Sequence, residues 1–166
     1  MIKVHENLYV GNLNDCYSNS KEIVIVHACK SPCHQIAVGY RGNLNANHPN
    51  YLILEKERDL FLNMVDMEAP LLPLYTDPII KAMFKFIDKK IKENKILIHC
   101  NQGLSRAPSL AMIYLAKRKK TISNNSYEEA EQDFKKIFPH YNPNRGIKSY
   151  LTKNWEKINY LIDHKF

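Results

Sequence analysis

In His99-Cys100-Asn101-Gln102-Gly103-Leu104-Ser105-Arg106 a thiol and a guanidinium stand near the two ends of one short stretch, with five residues between them. A thiol of ordinary pKa, about 8.5, is mostly protonated at neutral pH, and N–H donors, a helix N-terminus or a nearby cation favour the nucleophilic thiolate. A guanidinium can give two parallel N–H bonds to two oxygens of one phosphate. Gly103 lets the backbone take a positive φ, so successive N–H groups can converge on one point. Together these groups describe a cradle for an oxyanion with a nucleophile facing it.

Two elements must position that cradle. Ile96-Leu97-Ile98 is a short apolar run that reads as a buried strand. Leu110 to Leu115 is apolar and rich in good helix formers. A loop between a strand end and a helix start presents unpaired N–H groups at the positive end of the helix dipole.

His99-Cys100, Gly103 and Ser105-Arg106 resemble the signature loop of the protein tyrosine phosphatase superfamily. The short chain and the Ser-Arg-X-Pro-Ser ending are most similar to its dual-specificity branch. Leu8-Tyr9-Val10-Gly11-Asn12 is also similar to the start of many dual-specificity domains, and the resemblance covers nearly the whole chain. It implies an α/β fold with a mixed, mainly parallel central sheet flanked by helices, in a single catalytic domain over residues 1–166. It further implies that Cys100 attacks phosphorus while Arg106 and the loop from Asn101 through Gln102, Gly103 and Leu104 to Ser105 hold the equatorial oxygens. In the family a loop Asp some thirty-odd residues before the Cys, just after a strand, protonates the leaving oxygen. Asp66 is 34 residues upstream and fits, with Glu68, Asp77 and Asp59 as rivals. His99 would tune Cys100 through hydrogen bonding rather than act as a base. Asn144, in a Pro-Asn pair before the last helix, would cap that helix and also buttress the loop. The resemblance requires no metal or organic cofactor. One residue departs from the pattern: the position after the Arg is usually Ser or Thr, whose hydroxyl stabilises the departing thiolate, and here it is Ala107. Attack should survive and release from the cysteine should slow. Ser105 and Ser109 are the nearby hydroxyls.

His27-Ala28-Cys29-Lys30-Ser31-Pro32-Cys33-His34 holds two Cys and two His and invites a zinc reading. No second cluster follows downstream to complete a four-ligand structural site, so metal is not assigned. A redox reading is favoured over it. If the strand Val24–Val26 runs parallel beside Ile96–Ile98, their C-terminal ends lie together and Cys29 comes near Cys100. Some family members protect the catalytic Cys with such a second thiol, so Cys29 is a candidate redox partner.

Composition bounds the partners. With 24 basic and 17 acidic residues the net charge is +7, which attracts acidic partners such as phosphorylated proteins and peptides. Lys117-Arg118-Lys119-Lys120 reads as a solvated helix end, and no aromatic residues interleave with the basic ones as in single-strand binders, so nucleic acid is disfavoured. No apolar run approaches a membrane span, the N-terminus lacks the long apolar segment of a secretory signal, and four irregularly spaced cysteines suit a reducing, cytoplasmic setting. The loop interior carries no Lys or Arg, unlike many relatives that act on inositol lipids. A shallow pocket, implied by the short chain, would admit phosphotyrosine as well as phosphoserine and phosphothreonine. A phosphopeptide-binding module with weak turnover, an RNA 5′-triphosphatase and a thiol protease are the alternatives; for the last, no Cys–His pair is better placed than the phosphate loop.

The remaining pattern predicts an opening strand or strand pair over Val4–Gly11, a central strand over Glu22–His27, and two strands at Tyr51–Leu54 and Leu60–Met64 around a charged turn. It predicts a helix capped at Asp77 with Pro78 in its first turn, a helix opened by a Ser126–Glu129 capping box, and a final helix with an apolar stripe from Ile147 to Ile162.

Overall fold

The structure, a computed structural model, describes residues 1–163. The opening pair is β1 (Ile2–His5) and β2 (Leu8–Gly11), antiparallel and turned at Asn7 with φ +59°. β3 (Val24–His27), β4 (Ile53–Glu55), β5 (Asp59–Leu62) and β6 (Ile96–His99) complete one sheet in the order β1-β2-β6-β3-β5-β4. β2, β6, β3 and β5 are parallel, and the two edge strands are antiparallel. This is the mixed, mainly parallel sheet that the sequence implies.

Every residue of β3 and β6 is buried, as expected for parallel strands covered on both faces. Alternation then sorts their side chains. Val24, Val26, Ile96 and Ile98 enter the main core, whereas Ile25 and Leu97 pack on the other face with Cys16 and Ile23. Cys16 belongs to α1 (Leu13–Asn19), a helix opened by a reciprocal capping box between Asn12 and Asp15. His27 and His99 follow Ile25 and Leu97 by two residues, so they share the α1 face, and they are register partners across β3 and β6.

The main core is covered by α3 (Pro73–Lys90), α4 (Arg106–Tyr114), α5 (Tyr127–Ile137) and α6 (Arg145–Asp163); α2 (Gln35–Val38) is a single turn ending at Gly39. Met83, Phe84, Leu110, Phe134, Tyr150 and Ile158 are among its deepest large side chains, each at most 1% exposed. Among the described residues no helix is long and apolar enough to cross a membrane.

Three local expectations need correction. α3 starts at Pro73, not at Asp77, and Pro78 lies inside it. The N–H missing at Pro78 would have bonded the Leu74 carbonyl; Leu74 is exposed, so water can serve that group. Asp77 is instead a tether between helices: it accepts from Tyr150 Oη and pairs with Lys157 Nζ at 2.6 Å, both on α6. At α5 only half of the capping box forms: Ser126 Oγ accepts the Glu129 N–H at 3.1 Å, but the Glu129 carboxylate bonds Ser123 and Asn125. Lys117 is not solvated. It is 5% exposed, donates to Asn124 and Asn159, and lies 4.0 Å over the Trp155 ring. Burial pulls its pKa down to about 8.

Tyr150→Phe removes the hydroxyl contact to Asp77 and little else. The urea midpoint should fall by an amount equivalent to about 1–2 kcal/mol with an unchanged m-value. An unmoved midpoint would show that the Tyr150–Asp77 contact does not stabilise the fold.

Candidate active site

Cys100 follows β6 directly and Arg106 opens α4, so the stretch between them closes the gap from strand end to helix N-terminus. The Cys100 thiol is 2% exposed and accepts a 3.5 Å hydrogen bond from the Ala107 N–H in the first turn of α4. Gly103 has φ +74°, and a Cβ there would lie 2.7 Å from the Gly11 carbonyl oxygen. Glycine is therefore required both by conformation and by the close approach of β2. Leu13 N–H donates to the Asn101 carbonyl at 3.2 Å and Asn142 N–H to the Leu104 carbonyl at 2.9 Å, which fixes the loop from two sides.

Arg106 is 7% exposed. Its Nη1 donates to the Met64 carbonyl at 2.9 Å and its Nη2 to Asn101 Oδ1 at 2.7 Å, while the buried Nε–H has no partner among the described residues. Of the five N–H donors of a guanidinium, two thus orient the side chain. The rest remain for an acceptor, and leaving a buried donor unpaired costs about 1–3 kcal/mol. A polar cleft of about 510 Å³ supplies the space, lined by Asp66, Glu68, Cys100, Gln102, Arg106 and Arg145 among others.

Asp66 is exposed and accepts a 3.0 Å hydrogen bond from Ser105 Oγ, which in turn accepts the Asn144 N–H at 2.8 Å. One hydroxyl thereby joins the signature loop, the Asp66 segment and the start of α6. The Asp66 segment is also clamped from below: Gly146 N–H donates to the Met67 carbonyl at 3.0 Å, and a Cβ on Gly146 would collide with the carbonyls of Met67 and Ala69. The rivals fall elsewhere, except Glu68, which lines the same cleft. Asp77 is engaged with α6, and Asp59 opens β5, where it faces His27 Nε2 at 3.2 Å. The Asn144 side chain accepts the Arg145 N–H at 2.8 Å, at the start of α6. Ser109 Oγ is paired with Tyr141 Oη at 2.8 Å, so it and Ser105 are both committed to partners other than Cys100.

Cys29 is fully buried just past the end of β3, the strand that pairs in parallel with β6. The neighbouring Cys33 is the main cause that holds its thiol below the usual range, with His99 and Arg106 adding to it. His99 is fully buried, with Nδ1 3.3 Å from the Cys100 carbonyl oxygen and Nε2 2.8 Å from His27 Nδ1. His34 turns away to Tyr40 and the Asn50 carbonyl. Along the sequence no second cluster completes a four-ligand set, whereas the fold brings single residues together: Cys16, His27, Cys33 and His99 have their ligand atoms within 4.8 Å of one another. Cys16 gives no signal in the sequence, being an isolated Cys in a short segment without a periodic stripe.

Comparison with known proteins agrees with this geometry. Residues 22–157 match the family model described as dual specificity phosphatase, catalytic domain. Dual specificity protein phosphatase YVH1 of Plasmodium falciparum (isolate 3D7) is 32% identical over 117 residues, covering 68% of this chain. The chain spans only 18% of that relative's length. Among solved structures, human DUSP28 superposes with a TM-score of 0.62 at 18% identity, over 95% of this chain and 93% of its own. The Yvh1 phosphatase domain from Chaetomium thermophilum gives 0.59 at 18% identity, over 94% of each chain. These likenesses establish the shared fold, and the match over residues 22–157 establishes that the chain belongs to the family of dual specificity phosphatase catalytic domains.

Proposed function

We propose that residues 1–166 form one cysteine-dependent phosphoprotein phosphatase domain that hydrolyses phosphotyrosine, phosphoserine and phosphothreonine through a phosphocysteine intermediate. The observation that carries this reading is the convergence on one cleft of the Cys100 thiol at a helix N-terminus, a buried Arg106 with an unused N–H, and a carboxyl on a loop. In the first step the Cys100 thiolate attacks phosphorus in line and the bond to the leaving oxygen breaks. Arg106 and the amides from Asn101 to Ser105 hold the equatorial oxygens, where positioned donors act most strongly. Asp66 gives its proton to the leaving oxygen. In the second step water attacks the phosphocysteine, Asp66 takes the proton and the thiolate departs. His99 and Asn144 position the loop. No membrane span or nucleic acid enters this reading. A reducing compartment such as the cytoplasm suits it, because the reaction needs Cys100 as a free thiol.

Ala107 supports a second reading, a phosphopeptide-binding module with weak turnover. It supplies no hydroxyl to the departing thiolate, and the hydroxyls of Ser105 and Ser109 are engaged elsewhere. RNA 5′-triphosphatase activity rests only on the basic charge and is the lesser alternative.

The two readings separate in phosphate release from phosphotyrosine and phosphothreonine peptides. Steady release from both, abolished in Cys100→Ser, is the expected result; tight binding by Cys100→Ser with no release by the wild type would favour the binding module. Asp66→Asn should lower the rate on phosphothreonine about 10²–10⁴-fold. It should lower it far less on p-nitrophenyl phosphate, whose leaving group needs no proton; equal losses on both would remove Asp66 from the role of acid. Ala107→Ser should raise steady turnover while leaving the initial burst unchanged. A raised burst with the same steady rate would show that the missing hydroxyl is not what limits release.

A further inference from the structure

Strand parity gathers a second set of reactive side chains on the face of the sheet opposite the main core. His27 and His99 end adjacent parallel strands in register, and both point toward α1. Cys16 comes from α1, and its Sγ lies 3.7 Å from His27 Nδ1. Cys33 comes from the turn after β3, and its Sγ lies 3.8 Å from His99 Nε2. The four residues are 4%, 6%, 8% and 0% exposed for Cys16, His27, Cys33 and His99.

The outer contacts of the two imidazoles decide what this cluster can hold. His27 Nε2 faces Asp59 Oδ1 at 3.2 Å, and His99 Nδ1 faces the Cys100 carbonyl oxygen at 3.3 Å. Both outer partners are acceptors, so each neutral ring places its single N–H outward. The inner nitrogens, His27 Nδ1 and His99 Nε2, then present lone pairs to each other at 2.8 Å. Two lone pairs at that distance repel unless a cation or a proton lies between them. Histidine ligands to metals have this same arrangement, with the far N–H on a carboxylate or a backbone carbonyl.

We propose that Cys16, His27, Cys33 and His99 bind one zinc ion at a closed, structural site. Two thiolates and two imidazoles are the soft and borderline donors that suit zinc and do not suit magnesium or calcium. Four protein ligands leave no open position, which separates this site from a catalytic one. Bond lengths of about 2.0–2.1 Å to nitrogen and 2.3 Å to sulfur put tetrahedral ligand atoms about 3.3–3.8 Å apart. The nitrogen–sulfur contacts already have that spacing, and the two nitrogens need to part by about half an ångström. A cleft of about 290 Å³ lined by Cys16, His27, Cys33, Pro32 and Phe61 gives an ion a route in. Binding releases the two thiol protons to solvent and ties α1, the turn after β3, β3 and β6 together directly behind Cys100.

The test is the metal content of the untagged chain by mass spectrometry, with cobalt spectra of the metal-stripped chain in a non-thiol reductant. About one zinc per chain is expected, together with thiolate-to-cobalt charge transfer and intense visible bands of tetrahedral cobalt. Zinc should persist in Cys29→Ser and Cys100→Ser and be lost in Cys16→Ser and Cys33→Ser. Asp59→Asn should weaken zinc about 10–100-fold through the orientation of His27. If a Cys variant fails to fold, the wild-type cobalt spectrum decides alone. A folded wild type that takes up neither metal overturns the site and leaves a shared proton between the imidazoles. Zinc that disappears in Cys100→Ser, or stays in Cys16→Ser, overturns it as well.

Discussion

Parallel pairing of β3 with β6 is the constraint on which the rest of the molecule depends. Four register pairs, from Val24–Ile96 to His27–His99, bring two strand ends to one edge of the sheet. The next residues of each strand, Ala28 and Cys100, are locked there by the 2.8 Å bond from the Ala28 N–H to the His99 carbonyl. Crevices beyond the carboxyl ends of parallel strands are where open α/β sheets gather their functional groups. The same alternation that sends Val26 and Ile98 into the core sends His27 and His99 to the opposite face.

The loop that leaves this edge has little freedom. Gly103 sits against the Gly11 carbonyl, Leu13 holds Asn101, and Arg106 reaches back to the Met64 carbonyl at the root of the Asp66 segment. The guanidinium is therefore a bridge within the protein, from the signature loop to the Asp66 segment. The capping box of α1 adds to this: a Cβ on Gly11 would lie 2.6 Å from Asp15 Oδ2, so the end of β2 is closed in by the helix cap as well as by the signature loop.

Legibility in the sequence followed the strength of the local signal. Ile96–Ile98 and Val24–Val26 are unbroken apolar runs, and buried parallel strands leave that trace. Cys100, Arg106 and Gly103 were visible because they lie within one loop. α1 was not visible, since it is seven residues long and buries only Cys16, too little for a periodic stripe. The start of α3 was misplaced because Leu72-Pro73 and Asp77-Pro78 both offer a Pro in a first turn, and only the contacts of Asp77 with Tyr150 and Lys157 tell them apart. Lys117 looked solvated because charge runs usually are; Trp155, Asn124 and Asn159 come from distant segments and could not be foreseen from the run itself. The Cys16–His27–Cys33–His99 cluster combines residues from four segments, and no spacing rule covers such a set.

The Ser105 hydroxyl has a wider consequence. It orders three segments that are far apart in sequence, taking the Asn144 N–H and giving its own proton to Asp66. Dipoles and charges around the cleft are thus aligned before any anion enters. In bulk water the solvent must rearrange as charge moves during a reaction, and that reorganisation is a large part of the barrier. The surroundings of Cys100 are held by covalent connection and hydrogen bonds, so in the proposed reaction little would be left to rearrange as charge moved from sulfur toward a leaving oxygen.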